Sequence, residues 1–165
     1  MGPDWTGPQS KSRRSRVRYF LDTEYNGWGG ALLSLALVPD DGEELYITLA
    51  WDVPLETWVE RNVLPYLDTV PDSLRSARMS RVDAAKTIAH YLAGDPEPLI
   101  IADWPEDIAQ FNALLIIGPA MIAEVPGLTF RYMPLAGFST AATSTVPHNA
   151  LHDARALRDH VLGLE

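Results

Sequence analysis

The stretch RYFLDTEYNGWGG, residues 18–30, closes an apolar run with two carboxylates, Asp22 and Glu24. In a strand, side chains two apart share a face, so this pair would stand side by side and repel unless something positive lay between them. A second group of acids comes in DWPED, which carries Asp103 and Asp107, and a third near the end, where HNALHD puts His148 five residues before Asp153. Carboxylates in a chain without cysteine suit a hard divalent cation such as Mg²⁺ or Mn²⁺. Histidine exchanges protons near neutral pH, so it suits a general base beside such an ion. Each group also has an ordinary alternative. The strand-end acids could be solvated, Asp107 could serve a helix N-terminus, Asp153 could pair with Arg155 or Arg158, and His148 could be a plain loop residue.

The elements that must position these groups are legible from periodicity. VRYFLD (17–22) reads as a strand, NGWGG (26–30) as a glycine-rich turn and ALLSLALV (31–38) as a buried strand; LYITLAW (45–51) completes an antiparallel meander. PLETWVERNVLPYL and SRVDAAKTIAHYLAG carry apolar residues at helical spacing, the latter closed by Gly94. PLIIAD (98–103) is a short buried strand, and PEDIAQFNALLIIG (105–118) a helix that opens with proline and acids. LTFRYMPL (128–135) is a fifth strand, and a last helix starts near Asn149, with His148 just outside it in a mobile loop and Asp153 in its second turn. The order predicts an α/β domain: a mixed five-stranded sheet, its first three strands antiparallel, flanked by helices.

At 165 residues, 47% hydrophobic and 21% charged, the chain is expected to form one domain over 17–165, preceded by a flexible basic arm over 1–16. No run approaches the roughly 18 apolar residues of a membrane span, and the first residues lack a signal-like apolar core. The lack of cysteine excludes disulfides and fits a reducing compartment, so a cytoplasmic protein is expected. The net charge of −9 is unusual for a binder of polyanions. Five of the thirteen basic residues, Lys11, Arg13, Arg14, Arg16 and Arg18, crowd into eight positions. The remaining body is more acidic still, so any polyanion would meet it through metal ions.

In order and placement, Asp22-Thr23-Glu24, Asp107 and His148-(x4)-Asp153 resemble the three motifs of the DEDDh branch of the DnaQ-like 3′-5′ exonucleases. The nearest likeness is to the short stand-alone exoribonucleases, polyadenylate-specific ones among them, through RYFLDTEY near the start and LHDARAL near the end. The resemblance implies an RNase H-like fold and two divalent cations, Mg²⁺ or Mn²⁺. Asp22 would bridge them, Glu24 and Asp153 would complete one, Asp107 would support the other, and His148 would act as general base. It implies release of nucleoside 5′-monophosphates from the 3′ end of single-stranded RNA, with DNA as the alternative substrate. A catalytically silent nucleic-acid-binding module is the alternative from another class. In motif two, Trp104 and Pro105 depart from the usual residues ahead of the acid, and Asp103 competes with Asp107.

The family also implies substrate contacts just after the first motif, here Thr23, Tyr25, Asn26 and Trp28; an aromatic there can stack on a base, while a packed turn is the alternative for Trp28. His152 is expected at the surface or behind the site. Arg75, Arg78 and Arg81 would share a face if helical, guiding phosphates or merely meeting solvent. Several small relatives pair, so a homodimer is compatible with the resemblance; Trp51, Leu55 and Trp58 are apolar candidates for such a surface or for the core.

Overall fold

The computed structural model describes residues 16–165; the arm read from the sequence falls, except for Arg16, outside the described residues. The first three strands, β1 (Arg18–Tyr25), β2 (Leu32–Pro39) and β3 (Leu45–Thr48), pair antiparallel in succession. Then come α1 (Thr57–Asn62), two 3-10 turns (Leu64–Tyr66 and Asp72–Leu74), α2 (Arg81–Leu92), β4 (Leu99–Ala102) and α3 (Pro105–Leu115). A short hairpin, β5 (Ile116–Gly118) with β6 (Met121–Ile122), precedes β7 (Thr129–Tyr132), α4 (Thr140–Thr143) and α5 (Ala150–Gly163). The main sheet has five strands in the order β3-β2-β1-β4-β7, with β4 parallel to β1 and β7 parallel to β4.

Helices cover both faces, which explains why the whole of β2 is buried and, apart from Ser34, apolar rather than alternating. On one face Tyr19, Leu21, Leu35 and Leu37 pack with Ala85, Ile88 and Leu92 of α2 and Phe111 and Leu114 of α3. On the other, Phe20 meets Leu157 and Val161 of α5, while Ala36, Val38 and Tyr46 meet Ala150, Leu151 and Ala154. Fully burying one such side chain contributes about 1.5–3 kcal/mol. Since β1 sends odd and even residues to opposite helices, Asp22 and Glu24 continue the α5 face and Thr23 the α3 face.

Local chemistry sets the element ends. Ser80 caps α2 by accepting from Asp83 N, and Asn149 caps α5 by accepting from Leu151 N and His152 N. The segment read as one helix over PLETWVERNVLPYL divides at Val63, because Pro65 lacks an N–H and forces the chain into a 3-10 turn. The helix expected to run to Gly118 stops at Leu115: its buried face ends there, Ile116 is exposed, and the residue before Pro119 is driven to extended backbone. The hairpin inserted by that stop makes the sheet's fifth strand the seventh in the chain.

Of the five clustered basic residues, Arg16 bonds to Glu97 O at 2.6 Å and to Thr129, and Arg18 pairs with Asp40 at 3.0 Å and with Glu165. Both serve the folded body. Arg75, Arg78 and Arg81 do not share a helical face: Arg75 and Arg78 lie in the loop after the second 3-10 turn and Arg81 opens α2, and each has a partner, Asp72, Asp68 and Ala113 O respectively. No helix among the described residues is long and apolar enough to cross a membrane.

Candidate active site

The parallel pairing of β1 with β4 matches Phe20 to Ile101, so Asp22 and Asp103 leave the same end of neighbouring strands. The chain turns at Pro105 into α3 and brings Asp107, in the first turn, back over the end of β1. There Asp107 Oδ1 accepts from Thr23 Oγ1 at 2.6 Å and from Thr23 N at 3.2 Å, and the residue is buried. From the opposite face α5 delivers Asp153, its fourth residue, in the first turn rather than the second. The cap residue Asn149 is itself buried and donates to Tyr66 O at 2.7 Å, tying the helix start to the 3-10 turn.

His148 precedes that cap with φ +62, a left-handed backbone that few non-glycine residues adopt. Its N–H donates to Asp153 Oδ2 at 3.2 Å, and its ring meets Trp58 edge-on, centroids 4.9 Å apart. His152 fastens the same loop from behind, with one ring nitrogen 2.8 Å from Thr145 Oγ1 and the other 2.9 Å from Thr69 O. The ordinary pairing considered for Asp153 does not occur: Arg155 and Arg158 turn to Glu44, and Arg158 also to Asp159.

Asp22, Glu24, Asp103, Asp107, His148 and Asp153 thus line one cleft of about 330 Å³. Burial and the mutual repulsion of the acids push their carboxyls upward. Asp22, crowded by burial and then by Asp107, Glu24 and Asp153, rises well above the usual carboxylate range. Burial, then Asp153 and Asp107, pushes Glu24 up to about 8. Burial raises Asp107 to about 7 against the lowering effect of its Thr23 bonds, and burial raises Asp153 and Asp103 as well. A cluster held this far from ionisation is a high-energy arrangement for bare carboxylates and a favourable one for a cation.

The donor set fits a divalent ion. Glu24, His148 and Asp153 each offer a ligand atom, all within 4.8 Å of one another. Asp153 Oδ1 is buried without a hydrogen-bond partner among the described residues. Oxygen donors with one imidazole and no thiolate match Mg²⁺ or Mn²⁺. Both acids of DWPED reach the cleft, and Asp107 is the one that presses harder on Asp22.

Among the residues expected to touch a ligand, Tyr25 lines the cleft, and Trp28 stands 94% exposed in an adjoining groove of about 450 Å³. Thr23 borders both the cleft and the groove while its side chain bonds to Asp107, and the Asn26 amide is held within the fold, donating to Pro54 O at 2.9 Å and accepting from Glu56 N at 2.7 Å. Trp58, read as apolar surface or core, lies on His148, whereas Trp51 sits under Arg78 and Leu55 packs on the Val59 cluster. The groove's Glu56, and residues 138–140 at the start of α4 beside the cleft, carry no signal in the sequence pattern. No family model matches the chain, and no curated protein matches it.

Proposed function

We propose that this protein is a divalent-metal-dependent 3′-5′ exonuclease acting on single-stranded nucleic acid, RNA in preference to DNA. One observation carries the reading. Four carboxylates from three separate segments, Asp22, Glu24, Asp107 and Asp153, converge with His148 at the end of β1, although bringing them together opposes their ionisation. The sheet order, with three antiparallel strands followed by parallel ones, supports an RNase H-like fold. The motifs and their order support the DEDDh branch, and RYFLDTEY and LHDARAL support a likeness to the exoribonucleases within it.

In this reading Asp22, Glu24, Asp107 and Asp153 would hold two divalent cations, Mg²⁺ or Mn²⁺. Bound cations supply Lewis acidity toward the phosphodiester and toward the attacking water. The chain's own residues do the rest. His148 accepts the proton of the attacking water, and the edge of Trp58 fixes the imidazole's orientation. Thr23 holds the Asp107 carboxylate in place through two hydrogen bonds. Tyr25 and Trp28 lie where the terminal nucleotide leaves the cleft, and an indole there offers a stacking face to any base.

The test uses 5′-labelled single-stranded RNA and DNA of one sequence with Mn²⁺ or Mg²⁺, an EDTA control, and Asp22→Asn. A descending ladder lost in EDTA and in the variant supports the exonuclease, and the faster polymer names the substrate. Intact polymer in every lane, from folded and metal-loaded protein, turns the reading to a binding module.

A further inference from the structure

Three of the five tryptophans, Trp28, Trp58 and Trp104, stand around the groove beside the carboxylate cleft, exposed by 94, 53 and 56%. Indoles left in water around one concavity mark a surface kept for a flat, apolar ligand. Glu24 and His148 also border the groove, so a ligand lying in it has one end at the carboxylates.

Two acids line this aromatic surface. Glu106 is engaged within the fold, accepting from Gly29 N at 2.9 Å and so fixing the turn that presents Trp28. Glu56 is exposed, and its carboxylate lies directly over the same turn. A Cβ on Gly27, which has φ +69, would stand 2.1 Å from Glu56 Oε1. Asn26 locks the position, since its amide bonds to both Pro54 O and Glu56 N. The 54–56 segment and the NGWGG turn are therefore joined, and an acceptor-only group lines the same groove as the indoles.

We propose, resting on the reading of the cleft as a site for a 3′-terminal nucleotide, that Glu56 reads the Watson–Crick edge of the terminal base and selects guanine. A carboxylate offers two acceptors and no donor. Guanine presents two adjacent donors, N1–H and the N2 amino group, that match both oxygens. Adenine and cytosine offer one amino group beside a ring nitrogen that is itself an acceptor, and uracil offers one N–H between two carbonyls. The order of preference is guanine first, adenine and cytosine next, uracil last. Stacking on the tryptophans supplies attraction common to all bases, so Glu56 supplies the difference among them.

The experiment titrates the full chain with GMP, IMP, AMP, CMP and UMP, followed by tryptophan fluorescence, for the unaltered protein and for Glu56→Gln. GMP is expected to bind roughly tenfold more tightly than UMP, the advantage expected of a good bidentate pair in an exposed groove. IMP, which lacks the 2-amino group, falls between them. An amide offers one acceptor and one donor, a pair that the edge of each of the four bases can meet, so Glu56→Gln removes the preference for GMP. Equal binding of GMP and UMP, an equal loss of all five in Glu56→Gln, or no nucleotide binding overturns the proposal. Oligonucleotides ending in each base, given with Mn²⁺, separate this from the exonuclease reading. Shortening at equal rates with undiscriminating nucleotide binding leaves the exonuclease and removes base selection. A guanine preference that is lost in Glu56→Gln without any shortening leaves base selection and removes the exonuclease.

Discussion

Thr23→Val keeps the shape of a buried side chain and removes one hydroxyl, the donor 2.6 Å from Asp107 Oδ1. The backbone N–H at 3.2 Å stays, so Asp107 keeps its place. A hydrogen bond to a charged acceptor contributes about 1.5–3 kcal/mol, and one pKa unit corresponds to about 1.4 kcal/mol. Losing the hydroxyl therefore moves Asp107 from about 7 to roughly one or two units higher. Near pH 7.5 the ionised fraction of that carboxyl falls from roughly three quarters to between about 25 and 3%. A cation must displace the proton first, so its apparent affinity drops by roughly 3- to 25-fold at that pH. Near pH 9, where the unaltered carboxyl is almost fully ionised and the variant's at least about half, the loss shrinks to about twofold or less. Calorimetric titration with Mn²⁺ at the two pH values reads both numbers. An unchanged affinity near pH 7.5, or a loss of the same size at both pH values, would refute the role given to this hydroxyl.

The same carboxyls govern the stability of the metal-free protein. Glu24 rises from 4.5 to about 8 and Asp107 from 3.8 to about 7, so their favourable contribution is complete below the unfolded values and is lost as pH climbs through the folded ones. The melting temperature without metal should thus fall between about pH 4 and pH 8, and Mg²⁺ should restore more of it at pH 8 than at pH 5. A flat profile by calorimetry contradicts the clustering. His148→Ala should lower kcat by about 100-fold or more while the melting response to Mn²⁺ persists, since the four carboxylates assigned to the cations remain. Trp28→Ala should raise KM for single-stranded substrate by roughly 5- to 100-fold, with kcat nearly unchanged, because the exposed indole contributes stacking rather than chemistry; a kcat loss with constant KM would point to a different role.

What could be read from the sequence was local. The largely apolar run of β2, the Asn149 cap and the helical spacing before Gly94 depend on neighbours within a few residues, and each element stands where those neighbours put it. The overlong helix after Asp107 had the same origin in reverse: Ile116 and Ile117 continue an apolar pattern, and only the end of the packed face shows that the helix has stopped. At the site, residue types that announce chemistry could be picked out, yet their partners could not. Thr23 finds Asp107 across 84 residues, and Trp58 finds His148 across a longer stretch, through sheet register and helix placement that no short window contains. Asp103 and Asp107 competed in the sequence because either could reach the strand end; the parallel pairing of β1 with β4 brings both.

The left-handed backbone at His148 bears on how this chain would respond to selection. Holding a non-glycine residue there costs about 1–2 kcal/mol that glycine would not incur. A library screened only for thermal tolerance should therefore drift at this position toward glycine or asparagine, and at Asp22 and Asp107 toward their amides, gaining robustness while the cleft empties of its chemistry. Variants kept under a second screen for turnover should retain the histidine, and the gap between the two populations would measure how far function, and not folding, dictates this corner of the molecule.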